Sequence, residues 1–214
     1  MTSTPTTVSR AIPTSFLRWP LIGLGVYVVL DVILQLLPPH YSPLRQAESD
    51  LAVGPYGIIM NVNFLLRGAL TFTVLAVWRQ RVAPSAWERA GEILFAIWAA
   101  TSALLAFFNT DILDDPRLVP HPVPTWHGDL HIALALMGFI AAPLGAIALS
   151  VAWARVRQQS TALTVIAVLA LLALLALVPF GHKDLGGLGE RIFLFVVLLW
   201  TGVAARLLMR SREE

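Results

Sequence analysis

Cysteine is absent from the 214 residues, which excludes disulfides, thiol nucleophiles and Cys-ligated metals. Charge is scarce: 15 basic and 13 acidic residues make up 13% of the chain, about half the usual share of a soluble domain. Lysine is nearly missing, with Lys183 alone beside 14 arginines. What fills the chain is apolar, 57% hydrophobic residues at a mean hydropathy of +0.74. A soluble fold of this size cannot bury that much apolar surface and still present a charged exterior. Soluble globular, disordered, coiled-coil and nucleic-acid-binding classes are therefore excluded, and a polytopic membrane protein remains. Arg in place of Lys, with abundant Ala, Leu and Val, suggests a GC-rich bacterial genome and hence a bacterial cytoplasmic membrane.

A bilayer core takes about 20 apolar residues as a helix. Six segments qualify, each bounded by Pro, Gly or charge: 16–37, 56–78, 90–109, 128–154, 162–180 and 192–209. The expected fold is all-α, an integral membrane bundle of six transmembrane helices forming one domain over 16–210. Pro143 is expected to kink the fourth segment. Residues 1–15 are polar and read as a disordered tail, with 211–214 a second short tail. The first tail holds no apolar stretch of signal-peptide type, and the first helix suits an uncleaved anchor.

Orientation follows from the basic residues. One side collects Arg10, Arg18, Arg79, Arg81, Arg89, Arg155, Arg157, Arg206, Arg210 and Arg212; the other holds Arg45, Arg117, Lys183 and Arg191. Both termini are therefore expected in the cytoplasm. The outer loops carry Glu48, Asp50, Asp111, Asp114, Asp115, Asp129, Asp184 and Glu190, so a net charge of +2 hides a basic inner face and an acidic outer one. The basic face suits anionic lipid, not nucleic acid. All five histidines (His40, His121, His127, His131, His182) fall on the outer side, where the connecting segments are long and patterned. A site is expected at that boundary.

The sharpest local pattern is TWHGDLH, residues 125–131. His127 and His131 are four apart and share one helix face, a spacing that suits two imidazoles on one metal ion. Zinc or another divalent metal is the candidate cofactor, with Asp111 the first choice of third ligand and His182 or Glu190 next. The plain alternative is that each His bonds a loop group and fixes the outer cap. Before the second helix, Ser49 and Asp50 offer either a helix cap or a hydroxyl and a carboxylate for chemistry. Asp31 and Arg67 lie at membrane depth, where charge defaults to function; they are expected either to pair or to serve binding or proton relay. Asn63, Arg67 and Thr71 recur every four residues as a polar stripe. Glu190 and Arg191 open the last helix, Glu190 as a cap or as an acid facing the His pair. Trp78, Trp87, Trp126 and Trp200 are expected in an interfacial aromatic belt.

Several of these pieces occur together in one order: YSPLRQAESDLAVGPYG, MNVNFLLRG, FNTD followed by WHGDLH, and GLGERIFL. From about Pro20 to Met209 the chain resembles the bacterial membrane family known as domain of unknown function 998. The resemblance implies about six helices and a site drawn from Ser49 with Asp50, Asp111, His127 with His131, and Glu190 with Arg191. The chain is also similar, in residue types alone, to the ceramidase and adiponectin-receptor superfamily, which uses a Ser, an Asp and three His around zinc. Ser49, Asp111, His127, His131 and His182 match those types. That superfamily has a seven-helix core and its His-x-x-x-His late in the chain, whereas here the pair opens the fourth segment.

Three function classes fit these residues. The first is a membrane module that binds a lipid, another amphipathic small molecule or a partner through the outer polar groups. Asp31, Asp50, Asn63, Arg67 and Arg191 are its binding candidates. The second is a metal-assisted hydrolase or transferase on a lipid-like substrate, with Ser49, Asp111 and Glu190 as catalytic candidates. The third is a proton-linked transporter along Asp31, Asn63, Arg67 and Thr71.

Overall fold

The computed structural model describes residues 13–37, 41–113, 123–157, 161–180 and 184–210. Most of the N-terminal tail, residues 211–214, His40, His121 and His182 lie outside the described residues. Among the described residues six α-helices follow one another: α1 (Arg18–Gln35), α2 (Gly57–Arg81), α3 (Ala86–Leu104), α4 (Trp126–Arg157), α5 (Thr161–Phe180) and α6 (Gly186–Arg210). No strand occurs among the described residues. Five helices, all but α5, are long and apolar enough to cross a membrane, and α5 supplies a shorter apolar stretch, Thr161–Leu177. The chain is thus a helical membrane protein of multi-pass character. Long connections join α1 to α2 and α3 to α4, whereas short ones join α2 to α3 and α4 to α5.

Each helix stops where its sequence stops favouring it. Ser85 caps α3 by accepting the Glu88 N–H at 3.1 Å. After Leu104, α3 tightens into a 3-10 turn, Leu105–Phe107, so Asp111 stands in the loop beyond it rather than at the helix end. The last helix begins at Gly186, earlier than the apolar run at 192 predicts, because the glycines of GLGER are helical. α4 runs through Pro143 as one element. Thr14 and Ser15, expected in the tail, belong to a 3-10 turn, Thr14–Leu17.

Apolar side chains both fill and coat the bundle. Ile22, Ile58, Ile93, Leu136, Leu172 and Phe195 are each more than half exposed, a shell that lipid covers and water does not. Inside, Trp78, Trp98, Trp153 and Trp200 form an aromatic core with Phe95 and Phe193. Trp78 lies 5.4 Å from Trp153 and 6.0 Å from Trp200 between ring centroids. The expected aromatic belt is corrected here: Trp87 and Trp126 are exposed, but Trp78 and Trp200 are fully buried. Trp200 places its indole N–H 3.0 Å from Ser150 Oγ, the partner a buried indole needs. Gly145 lets α3 and α4 meet closely, since a Cβ there would stand 2.8 Å from the Phe95 backbone nitrogen.

Candidate functional site

The long loop between α1 and α2 sinks into the bundle. Its 3-10 turn, Glu48–Ala52, packs on α2, with further contacts to α1 and α6. Irregular backbone at this depth persists only when protein surrounds it and satisfies its polar groups. Two arginines meet that demand.

Arg67, on α2, is about 15 Å along the helix from Gly57. Helical side chains lean toward the N-terminus, which for α2 is the loop end. Its guanidinium meets Glu48 Oε2 at 3.1 Å, Tyr27 Oη at 2.8 Å and Ser102 Oγ at 3.1 Å. Tyr27 in turn donates to Glu48 Oε1 at 2.6 Å. Trp98, Phe64 and Tyr27 rings lie within 4.7, 5.1 and 5.6 Å of the guanidinium carbon. Arg67 is 1% exposed and Glu48 3%. The ion-pair partner of Arg67 is therefore Glu48 and not Asp31, the acid the sequence brought to mind. Asp31 accepts instead from Gln35 Nε2 at 2.6 Å, one turn along α1. Of the polar stripe, Asn63 donates to the Tyr27 carbonyl at 3.1 Å and Thr71 to the Arg67 carbonyl at 2.9 Å.

Arg191, on α6, holds the first part of the loop. One terminal nitrogen donates to the carbonyls of Pro43 (3.1 Å), Gln46 (2.8 Å) and Gly187 (3.1 Å), and the other to the Tyr41 hydroxyl. Burial pushes the Tyr41 phenol up, so it stays protonated and donates to the Ala47 carbonyl at 2.8 Å. The Gly187 and Leu188 N–H groups, orphans at the start of a helix, donate to the Arg45 and Leu44 carbonyls at 3.2 and 3.0 Å. The loop backbone thus caps α6. It approaches so closely that a Cβ on Gly187 would collide with the Gln46 carbonyl.

Across the opening, Asp111 organises the entry to α4. It accepts from the Thr125 N–H at 2.6 Å and the Thr125 hydroxyl at 2.9 Å, and Thr125 Oγ1 accepts the Gly128 N–H at 3.1 Å. His131 is buried, with Nδ1 2.7 Å from the Phe108 carbonyl. A carbonyl only accepts, so Nδ1 carries the proton and Nε2 the lone pair. His127 is exposed, its ring edge-on to Trp126 and Phe108 at 3.8 and 5.8 Å. Among the described residues, no three His, Asp or Glu side chains come together as metal ligands.

Between these two assemblies lies a cavity of about 380 Å³. Ser49, Asp50, Asp111 and Glu190 line it together, drawn from the loop, the α3–α4 connection and α6. Leu113, Ile132, Phe139 and Leu177 give it an apolar wall. Phe139 packs on Phe193 at 4.8 Å between ring centroids. His127 and His131 do not line the cavity. Electrostatically, Glu190 feels Glu48, Asp50 and Arg191. Sequence inspection thus found four lining residues. It counted Glu48 only among the outer acids and did not single out Tyr27 or Ser102. The usable signal for Glu48 was Arg67 itself, since a cation at that depth needs an acid and ESDLAVG offers one within an apolar flank.

Compared with known families, the chain matches protein of unknown function (DUF998) over residues 21–207 and belongs to that family. No curated protein and no solved structure matches it.

Proposed function

We propose that this member of the DUF998 family is a membrane module that binds an amphipathic small molecule, a lipid in the simplest case, in the cavity at the loop end of its bundle. The carrying observation is the composition of that cavity: hydroxyl and carboxylate groups on one side, Leu113, Ile132, Phe139 and Leu177 on the other. Its volume of about 380 Å³ lies within the range of small-molecule sites. Two clamps, Arg67 with Glu48 and Arg191 with the loop carbonyls, support a preformed site over one assembled on binding. The proposal includes six crossings, with α5 as the fifth, and both termini on the cytoplasmic, arginine-rich side. That places the cavity at the outer leaflet of a bacterial cytoplasmic membrane.

A binding role is favoured over metal-assisted hydrolysis by the positions of the expected ligands. The Asp111 oxygens hold Thr125, and the His pair faces Phe108 and Trp126 rather than the cavity. The test is mass spectrometry of the purified full chain and of Leu177→Trp, which fills the apolar wall. One amphiphile per chain in the wild type, displaced in the variant, is the expected result. Equal retention by both proteins would remove the cavity from consideration. A stoichiometric transition metal, lost on His127→Ala with His131→Ala, would restore the hydrolase or transferase.

A further inference from the structure

A second hollow opens on the outside of the bundle, between α1 and α6. It is a groove of about 480 Å³ whose lining includes Leu21, Gly25 and Val28 of α1 and Phe195, Gly202 and Arg206 of α6. The start of α1 lies beside the end of α6 there: a Cβ on Gly202 would stand 3.4 Å from the Leu24 side chain and 3.9 Å from that of Leu21. Gly25 deepens the groove from the other wall, since a Cβ on it would meet nothing within 4 Å. Val28 and Phe195 are exposed, so the groove faces the bilayer rather than the core.

Its length and its charge are those of one lipid chain with an anionic head. From Phe195 to Arg206 it runs about 16 Å along α6, close to half of a hydrocarbon core about 30 Å thick, the depth of one leaflet. Everything along that path is apolar or glycine except Arg206, which closes one end. Arg206 is exposed, and its side chain leans back toward the N-terminus of α6, over Gly202. Arg18 is exposed one turn before Leu21 on the same face of α1, and so stands at the same end. The acids of these two helices, Asp31 and Glu190, lie about 20 Å or more away along them. Among the described residues, neither arginine is in an ion pair with an acid.

A second copy of the chain fits the groove less well than a lipid does. Two copies in one membrane share an orientation, so groove against groove would gather the arginines of both at one level with no acid on α1 or α6 to meet them. A phosphate meets them instead. We propose that the groove between α1 and α6 binds one anionic phospholipid, its headgroup at Arg206 and Arg18 and one acyl chain over Gly202 and Gly25 toward Phe195. This site is separate from the cavity at the loop end and does not rest on that cavity's being a site.

The experiment is native mass spectrometry of the full chain in a neutral detergent, titrated with phosphatidylglycerol and with phosphatidylcholine of identical acyl chains. The expected result is one phosphatidylglycerol per chain, preferred over phosphatidylcholine by about fivefold for each arginine engaged. Arg206→Gln and Arg18→Gln each remove about fivefold of that preference; both positions are exposed, so the two variants report independently of the groove. Gly25→Leu fills the groove from its open wall and weakens both lipids. Leu177→Trp, which blocks the other cavity, leaves the phosphatidylglycerol in place. Equal binding of the two lipids overturns the anionic headgroup. Full retention in Gly25→Leu, or loss in Leu177→Trp, moves the lipid out of the groove and overturns the site, as does absence of saturable binding. A dimer that Gly25→Leu dissociates gives the groove to a second copy and overturns the lipid.

Discussion

Arg67 shows how one side chain organises a membrane protein's interior. A guanidinium has five donors in a rigid fork, and here they reach a carboxylate, a phenol and a hydroxyl while three rings cover its faces. Removing one partner of such a pair leaves a bare charge in a desolvated place. Glu48→Ala is therefore expected to cost about 3–5 kcal/mol of stability. Replacing both members, Arg67→Met with Glu48→Leu, is expected to cost much less than the sum of the two single changes. Unfolding of the purified chain in micelles measures all four members of this cycle, and additive losses would show that the pair is not coupled. The intramembrane cation was legible in the sequence because charge is rare there. Its partner was not, because the depth reached by a loop is a tertiary property. Asp31 sat nearer on the helical ruler, yet Glu48 is carried down by a turn whose position no periodicity encodes.

At the scale of elements, the loop between α1 and α2 behaves as a seventh packing unit. Its backbone carbonyls are consumed by Arg191 and by the first N–H groups of α6. Arg191→Gln removes the multiple donation while keeping a polar side chain. The expected outcome is faster hydrogen–deuterium exchange in residues 41–52, with α3 and α4 protected as before; unchanged exchange in the loop would show that the clamp is redundant. Asp111 plays the matching part at the entry to α4. Asp111→Ala is expected to lower stability by about 1 kcal/mol, as loss of a helix-entry cap does, and thermal unfolding reads it. The helices themselves were legible from apolar length. Their ends were less so, because Gly186 to Gly189 look like a loop by composition and become helical only when another segment supplies their missing acceptors.

At the scale of the whole molecule, the apolar exterior marks a chain that lives in a membrane, and the orientation proposed for it can be tested. The natural absence of cysteine makes orientation directly measurable. Single cysteines at Arg45 and Leu113 are expected to react with an impermeant maleimide on intact cells. Cysteines at Ala83 and Arg210 are expected to react only after permeabilisation. The reverse pattern would invert the proposed topology and move the cavity to the inner leaflet. The four carboxyl and hydroxyl groups of the cavity were picked out in the sequence one by one. That they share a wall, and that the two histidines stand outside it, is a tertiary property that no local pattern encodes.

The capping of α6 by residues 44 and 45 also has a consequence in time. A ribosome makes the loop long before it makes Gly187, and the two are joined only once the last helix is in place. Until then the loop carbonyls and the α6 donors must be served by water. Insertion of the last helix is therefore the step that dries and latches the loop. A nascent protein stalled before that step would offer quality-control proteases a wet, unlatched segment that the finished protein conceals.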